Sequence, residues 1–87
     1  MKLKTYNVVE LIRYDYGQCG IETETIIHAF DNEGETIEKF QNVLRATLAD
    51  CGYKSDDIDD MVAMALEEKY FEDVECDFTL EIVESEA

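Results

Sequence analysis

The sequence has no proline, a single histidine and few cations: 7 Lys and Arg stand against 22 Asp and Glu. Each shortage excludes something. A chain without proline suits compact, regular elements rather than a Pro-rich linker. His28 alone, on a predicted strand, has the place of a structural histidine, and no neighbouring base for a nucleophile can be argued from the sequence. Phosphate affinity needs clustered Lys and Arg, so direct binding to DNA, RNA or an anionic membrane is not expected. No run approaches the roughly 18 apolar residues that span a bilayer. The N-terminal MKLKTYNVVELIRYDYG lacks the apolar core and small-residue cleavage site of a signal peptide.

Motifs for ions and cofactors are missing too. DDIDD has two Asp pairs, but no glycine at the sixth loop position and no glutamate at the twelfth, so it is not an EF-hand. DNEGETIE fails the same test. Cys19, Cys51, Cys76 and His28 lack the CxxC or HxxxH spacing of a zinc site. No Gly-rich phosphate loop occurs. The sequence therefore predicts no metal, no cofactor and no enzymatic activity. Three widely spaced cysteines suggest incidental thiols in a reducing cytosol rather than a disulfide framework, and so a cytoplasmic location.

What is present is acid, unevenly placed. The chain has 87 residues and a net charge of −15. Residues 55–86 hold 13 acidic side chains and one basic, Lys69, for a net of −12, whereas residues 1–54 hold 9 and 6, for a net of −3. Hydrophobic content of 46% argues for a folded chain despite that charge. One domain over residues 1–87 is expected.

Residues 3–14 read as a strand in which Val8-Val9 and Leu11-Ile12 break the alternation, so either both faces are partly covered or a bulge shifts the register. A turn over residues 15–20 and a strand over residues 21–30 complete a hairpin. Thr36, or Asp31 earlier, caps a helix whose apolar stripe is Ile37, Phe40, Val43, Leu44, Leu48 and Cys51, with Gly52 ending it. Ser55 caps a second helix that buries Ile58, Met61, Val62, Ala65, Leu66 and Tyr70. Residues 74–84 alternate strictly as a third strand. The expectation is an α+β fold, β-β-α-α-β: a three-stranded antiparallel or mixed sheet with a helical hairpin on one face. The last strand would run parallel to the first. It would pair antiparallel with the second strand or parallel with the first.

Ordinary surfaces mix charge signs to limit repulsion. The acidic third instead suggests a face for a basic protein that handles nucleic acid. Its candidate contacts are Asp56, Asp57, Asp59, Asp60, Glu67, Glu68, Glu72, Asp73, Glu75 and Asp77. Asp56 and Asp57 also favour the positive end of the helix dipole, whereas Glu67, Glu68, Glu72 and Asp73 follow its negative end. Tyr14, Tyr16, Tyr53, Tyr70 and Phe71 are candidate aromatic anchors. A solubilising surface is the bland alternative. A second alternative is a small structural or assembly subunit that homodimerises through its sheet, suggested by the doubly apolar first strand.

The stretches KTYNVVE, ETETIIHAFDNEGETIEKF and DFTLEIVE resemble small phage and plasmid open reading frames of mixed α and β type. In size, acidity and lack of catalytic residues the chain is similar to anti-CRISPR proteins, several of which act as nucleic-acid mimics on Cas effectors. That resemblance implies an inhibitor working in a bacterial host cell, possessing no shared motif from which residue roles could be transferred.

Overall fold

The computed structural model describes residues 4–74 and 77–86. In chain order the elements are β1 (Lys4–Asp15), a 3-10 turn (Gly17–Cys19), β2 (Ile21–Phe30), α1 (Glu33–Asp50), α2 (Ser55–Glu68), β3 (Tyr70–Asp73) and β4 (Phe78–Glu86). The strands form one sheet in the order β2-β1-β4-β3, antiparallel throughout. The α+β class and the helical hairpin match expectation, but the sheet has four strands rather than three.

The fourth strand comes from the exit of α2. Lys69 adopts a left-handed backbone (φ 57°, ψ 31°), and its N–H donates to the Ala65 carbonyl. That conformation stops the helix at Glu68. Tyr70, expected on the buried stripe of α2, instead begins β3. The strand expected over residues 74–84 starts only at Phe78, because the chain first turns back from β3 to β4. Val74 sits in that turn, 75% exposed, and Cys76, expected beside it, lies outside the described residues. The extra reversal also corrects the direction of the last strand: β4 pairs antiparallel with β1, Val8 opposite Ile82 and Ile12 opposite Phe78.

The adjacent apolar pairs of β1 have a plain cause. Its pairing with β2 runs without a slip from Tyr6 opposite Phe30 to Asp15 opposite Ile21, so there is no bulge. Val8 and Ile12 therefore point one way, Val9 and Leu11 the other. Val8 joins the core, which consists of Val8, Phe78 and Leu80 from the sheet and Phe40, Leu44, Leu48, Ile58, Val62 and Ala65 from the helices, and half-buried Ile12 packs against it. All sheet members of this core share one face, and both helices cover it. Among the described residues no layer covers the opposite face.

The cap of α1 is Asn32, whose side chain accepts from the Glu35 N–H at 2.8 Å. Thr36, expected there, is instead fully buried in the first turn and donates its hydroxyl to the Asn32 carbonyl at 2.7 Å. The C-terminus follows expectation. Gly52 has φ 92°, its N–H donates to Ala49 at 3.1 Å, and the Tyr53 N–H donates to Leu48 at 3.1 Å. These two bonds form a Schellman motif and bring the chain around into α2.

The cysteine expectation needs correction. Cys19 is free and exposed, but Cys51 is disulfide-bonded. Wide spacing along a chain sets no limit on proximity once the chain has folded, so the cysteine pattern no longer argues for a reducing compartment. No helix among the described residues is long and apolar enough to cross a membrane.

Candidate functional site

Helix α2 positions most of the expected acidic contacts. It begins without a side-chain cap: Lys54 holds the cap position and Ser55, expected there, is the first helical residue. The Ile58 N–H donates to the Lys54 carbonyl at 2.9 Å. With Ile58, Val62 and Ala65 buried, the 3.6-residue period distributes the other side chains. Asp56, Asp60, Ala63 and Glu67 point outward. Asp57, Met61, Met64 and Glu68 lie along the flank nearer β3. Asp59 lies on the other flank, toward α1, and accepts from Arg45 Nη1 at 2.6 Å.

The acidic surface is thus two clusters on one helix rather than one continuous track. Asp56, Asp57 and Asp60 crowd the first turns, Glu67 and Glu68 the last, and Ala63 with Met64 separates them. All five carboxylates are exposed, and none forms an ion pair with a described residue. The remaining expected contacts have structural partners. Glu72 accepts the Tyr70 hydroxyl at 2.9 Å, which raises the Tyr70 phenol above its ordinary value. Half-buried Asp73 accepts the Tyr53 hydroxyl at 2.6 Å. Asp77 pairs with Arg13 at 2.9 Å and has φ 51°. Glu75 lies outside the described residues.

Two lysines are committed away from α2. Lys4 and Lys69 converge on Glu84, each at 3.0 Å. Hydrogen bonds from the two ammonium groups hold the Glu84 carboxyl below its ordinary range, and the same contact raises Lys4. His28 contacts Glu10 at 2.6 Å on the helix-covered side of the sheet.

Two of the following features, the cleft and the long hairpin arm, were not foreseen, whereas the open sheet face agrees with the doubly apolar first strand. A cleft of about 330 Å³ opens between α2 and β3. The uncovered sheet face presents Ile27 (62% exposed), Leu11 and Val83, together with Val9. Finally, the β1–β2 hairpin outruns the rest of the sheet: β4 reaches only Ile12, and residues 13–25 are exposed throughout. On this arm Tyr14 and Tyr16 stack with ring centroids 6.3 Å apart. Tyr14 donates to Glu24 at 3.0 Å, which raises its phenol. The run ETET at residues 22–25, which has no apolar face, was the available signal that no helix would cover this segment.

Comparison with protein-family models, curated proteins and solved structures finds no match for this chain.

Proposed function

We propose that the chain is a non-enzymatic inhibitor that engages a basic, nucleic-acid-handling protein through the exposed carboxylates of α2. The supporting observation is that Asp56, Asp57, Asp60, Glu67 and Glu68 stand in solvent with no described cation paired to them, although mixed signs would cost less repulsion. Two acidic clusters on one rigid helix steer a cationic surface and meet it without reorganisation. The resemblance to anti-CRISPR proteins makes a Cas effector, blocked by mimicry of DNA, the concrete partner class within this proposal.

The test is a pull-down at low salt, identification of the retained protein, and a competition assay against its nucleic acid. Asp57→Asn, Asp60→Asn and Glu67→Gln are combined. Asp77 is left alone because its pairing with Arg13 would confound the result. Three exposed carboxylates at about 0.2–1 kcal/mol each weaken binding by roughly threefold to a hundredfold and flatten its salt dependence. Unchanged affinity and salt slope would contradict the proposal.

A second reading is favoured by the uncovered sheet face: a small assembly subunit that pairs with a second copy. Strands of 12, 10, 4 and 9 residues, about 4.8 Å apart and rising about 3.3–3.4 Å per residue, present about 550–600 Å² on this face. Two such faces bury about 1,100–1,200 Å², the lower end of a specific interface. Away from the turns the charged residues that the register puts on this face are Arg13, Glu81 and, on the edge strand where it also lines the cleft beside α2, Glu72, so two strongly acidic copies could meet there with little facing charge.

A further inference from the structure

We infer that the cleft between α2 and β3 receives a lysine or arginine side chain of the basic partner; this rests on the proposed acidic-helix reading and assigns it a specific pocket. The apolar lining is Met61, Met64, Ala65 and Phe71, with Met64 67% exposed. The rim is acidic: Glu68 from α2 and Glu72 from β3. Tyr70 stands beside Glu72 and donates its hydroxyl to that carboxylate at 2.9 Å, which fixes one side of the rim.

This combination selects its occupant. An acidic side chain is repelled at the rim, and a purely apolar one would desolvate two carboxylates without compensation. Lysine and arginine have an aliphatic stem that lies on apolar surface and a cationic head that stays with acid and water. Methionine suits such a lining because its unbranched, polarizable chain adapts to a stem of either length. The approach is open, since β3 is the sheet edge and β4 is its one neighbouring strand. Asp57, on the same flank of α2 as the two methionines, extends the negative field along the cleft.

Two methionines, Met61 and Met64, line the cleft and make it directly observable. The protein is labelled with methyl-13C methionine and titrated at low salt with heptalysine. A parallel titration uses the same-length peptide of 2,4-diaminobutyric acid, under mildly acidic conditions where both are fully charged. The second peptide has the same charge but stems two methylenes shorter. Heptalysine is expected to shift the Met61 and Met64 methyls and to bind about tenfold more tightly than the short-stem peptide. Met64→Ser, at an exposed position where folding is not at stake, should weaken heptalysine about three- to tenfold and leave the short-stem peptide unchanged. Equal affinities with unmoved methyls would overturn the cleft assignment while leaving the acidic helix as the binding element. Failure of both peptides to bind would overturn the acidic-helix reading itself. Methyl shifts that follow protein concentration without peptide would give the cleft to a second copy and likewise overturn the assignment.

Discussion

Replacing Ile27 with glutamate separates the two functional readings. Ile27 lies in β2 opposite Val9 on the uncovered face, with 62% of its surface in solvent. In a monomer, changing so exposed a residue costs at most about 1 kcal/mol, chiefly through the lower strand preference of glutamate. Between two copies the arithmetic differs. Full burial of an isoleucine side chain contributes about 1.5–3 kcal/mol, so covering the exposed share contributes about 1–2 kcal/mol per copy. A two-fold interface counts it twice, about 2–4 kcal/mol, which corresponds to a dimer weakened by roughly thirtyfold to a thousandfold. The carboxylates brought into the interface add desolvation to that loss. Sedimentation equilibrium from micromolar to near-millimolar protein, in salt high enough to screen the net charge, reads the association. Thermal melts of the variant report whether the fold is intact. If Ile27→Glu associates as strongly as the wild type, the sheet face is not the interface. If the wild type stays monomeric at the highest concentration, the assembly reading falls and the acidic-helix reading stands alone.

Leu44→Ala, at a fully buried core position, should cost about 2–5 kcal/mol in denaturant melts. That is a large share of the roughly 4–13 kcal/mol expected for a domain of this length. Gly52→Ala should cost about 1–2 kcal/mol although the site is sterically open, because the backbone there has φ 92°. Glu84 should titrate below other glutamates in carboxyl-resolved NMR. Its folded-state value is depressed, so its stabilising contribution is present above the ordinary glutamate value and disappears as pH falls through the depressed one. Replacing Lys4 and Lys69 with methionine should return that titration to the ordinary glutamate range.

Much of the fold was legible where pattern and chemistry agreed. The stripe Phe40, Leu44, Leu48 and the glycine at position 52 fixed α1 and its end. The alternation of Phe78, Leu80 and Ile82 assigned the buried face of β4 correctly. The misses have one main source, Lys69. Nothing in the side chain of a lysine announces a left-handed backbone, so the periodicity of α2 appeared to continue through Tyr70 and concealed β3. With β3 hidden, the direction of β4 came out reversed. The acidic contacts were legible as residue types but not as a surface. Helical geometry alone decides that Asp59 turns toward Arg45 while Asp57 shares a flank with Met61 and Met64, and long-range pairing alone commits Asp77 to Arg13. The disulfide at Cys51 was invisible because proximity in space leaves no trace in spacing.

The hairpin arm gives the molecule an uneven resistance to opening. Beyond Arg13, whose N–H still donates to the Asp77 carbonyl at 2.9 Å, the ribbon of residues 14–22 has no third strand beside it among the described residues, and a two-stranded ribbon is at best marginally stable by itself. Its backbone amides should exchange with solvent through local fraying, at free energies far below that of global unfolding, while amides of Val8 and Leu80 wait for the whole domain to open. Hydrogen exchange would therefore resolve the chain into a stiff body and a compliant limb. The limb can conform to a surface that the body must meet as a rigid shape.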